Sequence, residues 1–543
     1  MPVGPVAPSG LSRLRAALQL RPAAAGRAWP LLVALPALPH LAGLYLLRDL
    51  RAHLYAQLGL WLLAGLGWLL ALWVLRQATP LVPGTRAERG ALLWVWAVAL
   101  LMRGPALALP AGHSDDVYRY LWDGAVQQAG HSPYAGPPDD PEYAAVRAAR
   151  PALPERINHR ELPTVYPPVA QLLFRLPEVL SGGPWELAAA VRRWKLVVVA
   201  ADLLVLVLLG GLCRGAGRDR RWTMVWGAAP LPAVELAGNG HLESLGVLPL
   251  ILALRLWQRA GWELPLAQGR PGRLRGLGRA ATIGALGGLA VLVKPVAGVL
   301  LAAALRLSRR TLLTLALGAL LAMTLAVLPY GRRGALPPSL GEYGRRWRSN
   351  DGAYAVLRVV TEGAVRLLYR PPYHEPWRLP TLARAVTGRA RDTVWPDELA
   401  GALARGEVLL ALGWLTWRGV RRRLAPPRLA LALLLGYQLL TPVLHPWYEL
   451  WPLALSVLWL RLLPAIALMA ALAPLAYLPL PDYLAGLGFH EAVWPRLLQH
   501  GAGWLALLVA LDHSACRRCP ARDLQAKASP SRTSTQTPPP RAS

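Results

Sequence analysis

Long apolar stretches recur along the chain and are separated by mostly short polar connections. A bilayer-spanning helix needs about 20 predominantly apolar residues, and six stretches are clear candidates. They are 54–75, 91–109, 187–212, 280–305, 311–330 and 462–480. Shorter or weaker candidates are 30–47, 224–236, 244–257, 408–417, 429–440, 447–460 and 501–511. The pattern predicts an all-α polytopic integral membrane protein with about eleven to fourteen transmembrane helices.

Two long segments interrupt these spans, the first loop at 110–183 and the second loop at 331–406. Arginines concentrate in the short connections, as in the run Arg421, Arg422 and Arg423. Because short cytoplasmic connections carry the excess of Lys and Arg, both termini are predicted inside and both loops outside. The cytoplasmic membrane is the expected location.

Three regions follow from this topology. Residues 1–29 form a basic cytoplasmic N-terminus, 30–512 the membrane domain, and 513–543 a tail rich in Ser, Thr and Pro that is predicted to be disordered. The net charge of +29 would suit a nucleic-acid partner. Here the charge lies between spans and indicates topology, so membrane lipids, and no nucleic acid, are the expected partners.

An acidic pair, Asp115 and Asp116, comes directly after the apolar stretch 91–109. Ser114 is a good N-cap residue, which would place both aspartates in the first turn of a helix, where the helix dipole favours negative charge. That structural role competes with a chemical one at the membrane boundary. The dipole lowers the pKa of both acids, whereas each acid raises the pKa of the other, and the sequence leaves the balance open.

The predicted helix would place further polar residues on the same face as Asp115. Asp115, Arg119 and Asp123 are spaced four residues apart, so they form either a salt-bridged ladder or a site that holds a base. Tyr120 and Trp122 add aromatic surface that suits a sugar or the membrane interface.

Two pairs of stretches are predicted to be broken hairpins. The pair 224–236 and 244–257 turns at a segment that contains His241 and Glu243, and 280–293 meets 296–305 at Lys294. Broken helices persist at membrane depth only where protein or a water-filled cavity satisfies the freed backbone, so these tips should line a cavity. Lys294 is a phosphate-binding candidate because an unpaired charge in an apolar run is costly; a snorkelling lysine is the alternative.

Other polar residues are weaker candidates. Arg345, Arg346 and Arg348 of the second loop could contact phosphate, although an individual arginine of this kind is more often a solvated surface residue. His445 lies at a predicted outer end and could bind phosphate or sugar, and a satisfied histidine at the membrane interface is the alternative.

Metal binding has little support in the sequence. Asp202 lies seven residues after Lys195 on one helix face, which favours a buried ion pair or a hydrogen-bonded structural acid. Cys516 and Cys519 form a CxxC pair without the second ligand pair that a structural metal site needs. No cofactor and no metal site is predicted, although a divalent metal is not excluded.

Several motifs together resemble a known family. The first is SDDVYRYLWDG at 114–124. The others follow in the expected order at 130–134, 162–168, 235–243, 288–295, 347–350 and 441–448. They resemble bacterial GT-C glycosyltransferases, which are polytopic enzymes that use polyprenyl-phosphate sugars, commonly mannose. Between Trp347 and Asn350, relatives often carry an aromatic residue, whereas this chain has Arg348 and Ser349. The second loop therefore departs from the family's pattern at this motif.

The resemblance implies a GT-C-like fold and an inverting hexose transfer to a glycan, lipid or protein acceptor. One acid of the first loop would deprotonate the acceptor hydroxyl, with Asp115 the first choice and Asp116 the second. A lipid phosphate is already a good leaving group, so one base and some cations suffice. The residues implied in binding the donor phosphate are Lys294, Arg345, Arg346, Arg348 and His445. Those implied in binding sugar or acceptor are Arg119, Tyr120, Trp122, Asp123, Tyr166, His241, Glu243 and Tyr448.

Two other classes compete with this interpretation. A transporter or lipid flippase would also have broken helices and intramembrane charges, although here the charged motifs gather at one face. A scaffold protein would tolerate replacement of the aspartate pair.

Overall fold

The computed structural model describes residues 20–46, 50–181, 185–264, 270–331, 339–368, 376–387 and 391–512. The α-helices of the N-terminal half are α1 (Pro22–Ala34), α2 (Ala37–Leu46), α3 (Leu50–Gln77), α4 (Arg86–Leu107), α5 (Asp116–Gln128), α6 (Ala144–Ala149), α7 (Pro168–Phe174), α8 (Leu176–Val179), α9 (Leu187–Gly215), α10 (Met224–Gly227), α11 (Pro230–Pro232) and α12 (Glu243–Ala260). Those of the C-terminal half are α13 (Arg270–Val291), α14 (Val299–Ala303), α15 (Arg309–Val327), α16 (Leu340–Arg346), α17 (Gly352–Leu368), α18 (Pro380–Thr387), α19 (Pro396–Arg421), α20 (Pro426–Leu440), α21 (Leu450–Ser456), α22 (Leu463–Leu472), α23 (Leu480–Leu484) and α24 (Val493–Asp512).

Short irregular elements connect these helices. The 3₁₀ turns are Pro141–Tyr143, Pro154–Arg156, Arg220–Thr223, Pro295–Gly298, Ala304–Arg306, Leu328–Tyr330, Pro446–Glu449 and Ala473–Tyr477, and a π-helical turn spans Ala233–Gly238. Two short strands of the second loop, β1 (Trp377–Arg378) and β2 (Thr393–Val394), pair antiparallel.

The all-α polytopic fold is confirmed. Within the described ranges, seven helical stretches are long and apolar enough to cross a membrane. They are Pro22–Leu46, Ala52–Gln77, Arg86–Leu107, Leu187–Gly215, Arg309–Tyr330, Pro396–Arg421 and Leu463–Leu484. The higher predicted count of eleven to fourteen also included shorter and broken helices, and it stays a prediction.

Two helix starts differ from the predicted boundaries. The first helix begins at Pro22, inside the segment 1–29, and α19 begins at Pro396, inside the second loop. Proline is favoured in the first turn because its missing N–H is not needed there. In α19, Asp397 and Glu398 also suit the N-terminal end of the dipole. The polar and proline-rich starts of these helices therefore resembled loop sequence. The predicted tail at 513–543 lies outside the described residues, as do Cys516 and Cys519.

The predicted break in the apolar stretch 280–305 is confirmed. Helix α13 ends at Val291, and Lys294 has an extended backbone before the turn at Pro295–Gly298. Close packing of α13 against α15 fixes the position of this break. Gly284 faces the carbonyl of Leu315 without room for a Cβ atom. Small residues of this kind let two membrane helices approach closely.

The first loop contacts the chain at this break between α13 and α14. At the start of α7, the amides of Val169 and Ala170 donate to the carbonyl of Leu292 at 3.0 and 3.2 Å. Helix α5 packs on α7 through Tyr120, whose ring stacks on Phe174 with 4.6 Å between centroids. The start of α5 therefore lies close to Lys294, although the two are far apart in sequence.

Asp202 is a structural acid, but its partner is not Lys195. Its carboxylate pairs with Arg103 of α4 and accepts a hydrogen bond from the Trp226 indole at 2.6 Å. Lys195 instead donates to the carbonyls of Ala106 and Leu109 at 3.2 and 2.7 Å. Seven residues along a helix span about 10 Å, so a neighbouring helix supplies the nearer cation.

Candidate functional site

The aspartate pair lies at the N-terminus of α5. The helix begins at Asp116 and its N-cap residue is Asp115, so it starts one position later than the predicted cap at Ser114. The Ser114 hydroxyl still accepts a hydrogen bond from the Asp116 amide at 3.3 Å. The Asp115 carboxylate makes no capping hydrogen bond. Asp115 is therefore not committed to stabilising the helix.

The pKa of both carboxyl groups is raised, which favours their protonated, neutral form. Burial raises the pKa of Asp115 to about 7, and the negative charge of Asp116 adds to this shift. Burial also raises the pKa of Asp116, against the opposing effects of Lys294 and of the hydroxyls of Tyr166 and Tyr120. The Tyr120 hydroxyl donates to Asp116 Oδ2 at 3.3 Å. A carboxylate with a pKa near the operating pH is well suited to general base catalysis.

Lys294 points into the protein and is not a snorkelling lysine. Its ammonium pairs with the buried carboxylate of Glu243 and lies 3.9 Å from the centroid of the Tyr448 ring. The Lys294 side chain keeps 18% of its surface exposed, whereas Glu243 is fully buried. The ion pair and the ring lower the cost of burying this charge.

The His241 ring lies between two acids of the site, Asp116 and Glu235. Its Nδ1 lies 3.6 Å from Asp116 Oδ2 and its Nε2 lies 3.4 Å from Glu235 Oε2. The imidazole stacks on Trp447 with 3.7 Å between ring centroids, and the His445 ring stacks on the same indole at 4.5 Å. Burial, with Lys294 adding to it, lowers the pKa of His445 to about 3. His445 is therefore a neutral hydrogen-bonding group at physiological pH and not a cation.

Buried polar atoms around Lys294 lack hydrogen-bond partners among the described residues. They include both ring nitrogens of His241 and Oε2 of Glu243. Buried polar groups are nearly always satisfied by protein or by ordered water, so these atoms have hydrogen-bonding capacity that a polar ligand could use. Sugar hydroxyls, which both donate and accept, have the chemistry to satisfy all three atoms.

Other predicted residues of α5 hold the first loop together. Asp123 accepts hydrogen bonds from Arg119 at 3.0 Å, Thr164 at 2.6 Å and Gln171 at 2.7 Å. Trp122 is 1% exposed and packs in the core. Asp123 and Trp122 thus have structural partners. Their predicted role in binding sugar or acceptor is untested, and the structure does not bring them to Lys294.

Two of the predicted arginines form ion pairs with acids of the second loop. Arg345 pairs with Glu342 at 3.2 Å, and Arg348 pairs with Asp351 at 2.6 Å. The side chain of Arg346 lies outside the described part of the chain. The predicted phosphate contacts of these arginines stay predictions, because their described partners are residues of the second loop itself.

Trp447, Glu235 and Tyr343 lie at this site although they were not among the predicted residues. Glu235 lies within 3.4 Å of His241, and the Tyr343 hydroxyl lies 3.1 Å from that of Tyr448 and 3.5 Å from His445 Nε2. An acid inside an apolar stretch was the available signal for Glu235. Tyr343 gave no such signal, since it precedes the motif at 347–350 in a polar segment. No group of three or more metal-ligating side chains occurs in the described ranges.

A comparison with protein families identifies the class of enzyme to which the chain belongs. The model described as "Alpha-(1->6)-mannopyranosyltransferase, N-terminal domain" matches residues 21–310. The chain belongs to this family. The match includes Asp115, Asp116, His241 and Lys294, and it ends before Tyr448. No curated protein and no solved structure matches the chain. Membership supports a membrane mannosyltransferase, with a sugar donor and an acceptor.

Proposed function

We propose that the chain transfers a hexose, most simply mannose, from a polyprenyl-phosphate donor to a glycan, lipid or protein acceptor outside the cytoplasmic membrane. One observation carries the proposal. The aspartate pair and Lys294 lie together where apolar helices end, since α4 ends at Leu107 and α13 at Val291. A phosphate anchored by a lipid tail would arrive at that boundary. This arrangement supports the proposal of a GT-C-like enzyme.

Asp115 would act as the general base. As the acceptor oxygen attacks the anomeric carbon, Asp115 takes the hydroxyl proton, and the bond from that carbon to the phosphate oxygen breaks. The phosphate leaves with the electron pair, and the Lys294 ammonium stabilises its charge. Lys294 acts on Asp116 and is not among the groups that shift the pKa of Asp115. Asp115 is therefore assigned to the acceptor side and Asp116 to the phosphate side.

A lipid-linked donor fits the predicted topology. The positive-inside rule assigns the first loop to the extracytoplasmic face, where nucleotide sugars are not expected. The leaving group also needs no proton, unlike the alkoxide that a glycosidase expels, so one carboxylate base suffices. A site with a cation and an available base is consistent with this chemistry.

Reconstitution tests the proposal directly. Proteoliposomes that contain the full chain are supplied with radiolabelled polyprenyl-phospho-mannose or with GDP-mannose, together with a mannose oligosaccharide as acceptor. We expect labelled product from the lipid-linked donor and none from GDP-mannose. Equal transfer from GDP-mannose would contradict the proposed donor. Movement of the labelled lipid between leaflets without any product would instead indicate a flippase.

Replacing Lys294 should weaken donor use selectively. Lys294→Met in a Glu243→Gln background avoids leaving a buried carboxylate unpaired. We expect the KM for the lipid donor to rise about 10- to 100-fold, the range of a lost charge-assisted contact, while the acceptor KM changes little. Initial rates with varied donor and fixed acceptor measure this. Glu243→Gln alone is the matched control, and an unchanged donor KM in the double variant would refute the role of Lys294.

A further inference from the structure

Four ring side chains form a continuous row from the first loop to the cation of the site. This aromatic row consists of His159, Trp347, Tyr343 and Tyr448. The His159 ring meets Trp347 edge-on at 4.8 Å, and the Trp347 indole stacks on Tyr343 at 5.2 Å. The Tyr343 hydroxyl reaches that of Tyr448 at 3.1 Å, and Lys294 lies 3.9 Å from the Tyr448 ring.

The row is exposed at its outer end and becomes partly buried toward Lys294. The His159 side chain is 45% exposed, and the other three residues are half-buried. A charged group flanks its outer end, since the Glu161 carboxylate lies 3.3 Å from His159. Rings with polar neighbours suit a sugar, whose C–H face packs on an aromatic ring while its hydroxyls bond to the flanking groups. A polyprenyl chain would need an apolar flank instead.

The backbone on both sides of this contact is held in an unfavourable conformation. His159 has φ of 53° and Asn350 has φ of 52°, and they are two of the four non-glycine residues with positive φ in the described ranges. The Asn350 side chain is fixed by hydrogen bonds to the Leu444 carbonyl at 3.1 Å and to Gln499 at 2.8 Å. Strain of this kind persists only where the surroundings enforce it, and it concentrates at ligand sites.

The outer end of the row also lies near the proposed base. Asn158 precedes His159 and contacts Tyr483, and Tyr483 lies within electrostatic range of Asp115. The inner end reaches Lys294. A ligand lying along the row would therefore pass between the acceptor side and the phosphate side of the site.

We infer that the aromatic row is the acceptor subsite and that Trp347 stacks a hexose ring of a glycan chain. This inference rests on the proposed function, takes a glycan as the acceptor, and names the residues that would hold that glycan. The glycan end that receives the sugar reaches Asp115, and the preceding ring lies on Trp347. Longer glycans should consequently bind more tightly than a single sugar.

Binding without donor tests the subsite separately from catalysis. The full chain in detergent micelles is titrated with mannose and with α-(1→6)-linked mannose oligosaccharides of increasing length, followed by calorimetry. We expect affinity to increase with length in the wild type and to fall about tenfold in Trp347→Ala for the longer ligands. Trp347→Phe, which keeps an aromatic face, should retain most of the affinity. Trp494→Ala, at a side chain that is 56% exposed on α24, is the matched control and should bind like the wild type.

Other outcomes separate the hypotheses. Equal glycan affinity in wild type and Trp347→Ala, or no glycan binding by the wild type, would overturn the subsite. A donor KM that depends on polyprenyl length and worsens in Trp347→Ala, with glycan affinity unchanged, would assign the row to the lipid tail. Glycan binding that depends on Trp347, without transfer from the lipid donor, would leave the subsite intact and refute the proposed donor. Should Trp347→Ala fail to fold, Trp347→Leu replaces it in the same titration.

Discussion

Asp115→Asn is expected to lower the rate of mannosyl transfer by about 10²- to 10⁴-fold, the usual contribution of a general base. Asparagine has nearly the same shape as aspartate but cannot accept the proton of the acceptor hydroxyl. The Asp115 side chain makes no capping hydrogen bond, so the substitution should leave folding intact. Initial rates at saturating donor and acceptor, compared with the thermal unfolding midpoint, separate lost chemistry from lost structure.

The pH profile identifies which aspartate is the base. The pKa of Asp115 is raised to about 7, and only the deprotonated carboxylate can act as a base, so the wild-type rate should increase as the pH rises through about 7. Asp116→Asn removes one cause of that increase in pKa, so the acid limb should move to lower pH in the transfer that remains. Asp139→Asn, at an exposed acid of the same loop, is the matched control. A wild-type profile that is flat across neutral pH, or full activity of Asp115→Asn, would eliminate this assignment.

The principal charges of the site could be predicted because isolated charges are costly at a membrane. Asp115 and Asp116 follow a span, and Lys294 interrupts an apolar run, so each is conspicuous in the sequence. The spacing of apolar residues also predicted the break at Lys294. These signals are local, which is why a single sequence carries them.

The partners of these charges could not be predicted, because they depend on how distant helices pack. Nothing in the sequence relates Glu243 to Lys294 or Arg103 to Asp202, and the structure forms both pairs. Helical spacing favoured a partner for Asp202 on its own helix, whereas the actual partner comes from α4. Tyr343 has no periodic or charge signal, and only the folded second loop brings it to Tyr448.

Asp202→Leu is expected to destabilise the fold by about 3–5 kcal/mol, because it leaves the Arg103 guanidinium buried without its counter-charge. Arg103 is 1% exposed and Asp202 is fully buried, so water cannot compensate for the lost carboxylate. The substitution should lower the yield of folded protein and the thermal unfolding midpoint in detergent. Lys195→Met is a useful comparison, since Lys195 donates only to backbone carbonyls and its loss leaves no charge uncompensated.

The double variant Arg103→Met with Asp202→Leu distinguishes a structural ion pair from a functional one. Replacing both members of a buried pair by apolar residues is often neutral or stabilising, because no charge then needs desolvation. We expect the double variant to recover most of the lost stability and to transfer mannose at nearly the wild-type rate. Recovered stability without recovered activity would contradict this assignment. In that case the Arg103–Asp202 pair would act on the site through α4, whose C-terminal end leads directly to Asp115 and Asp116.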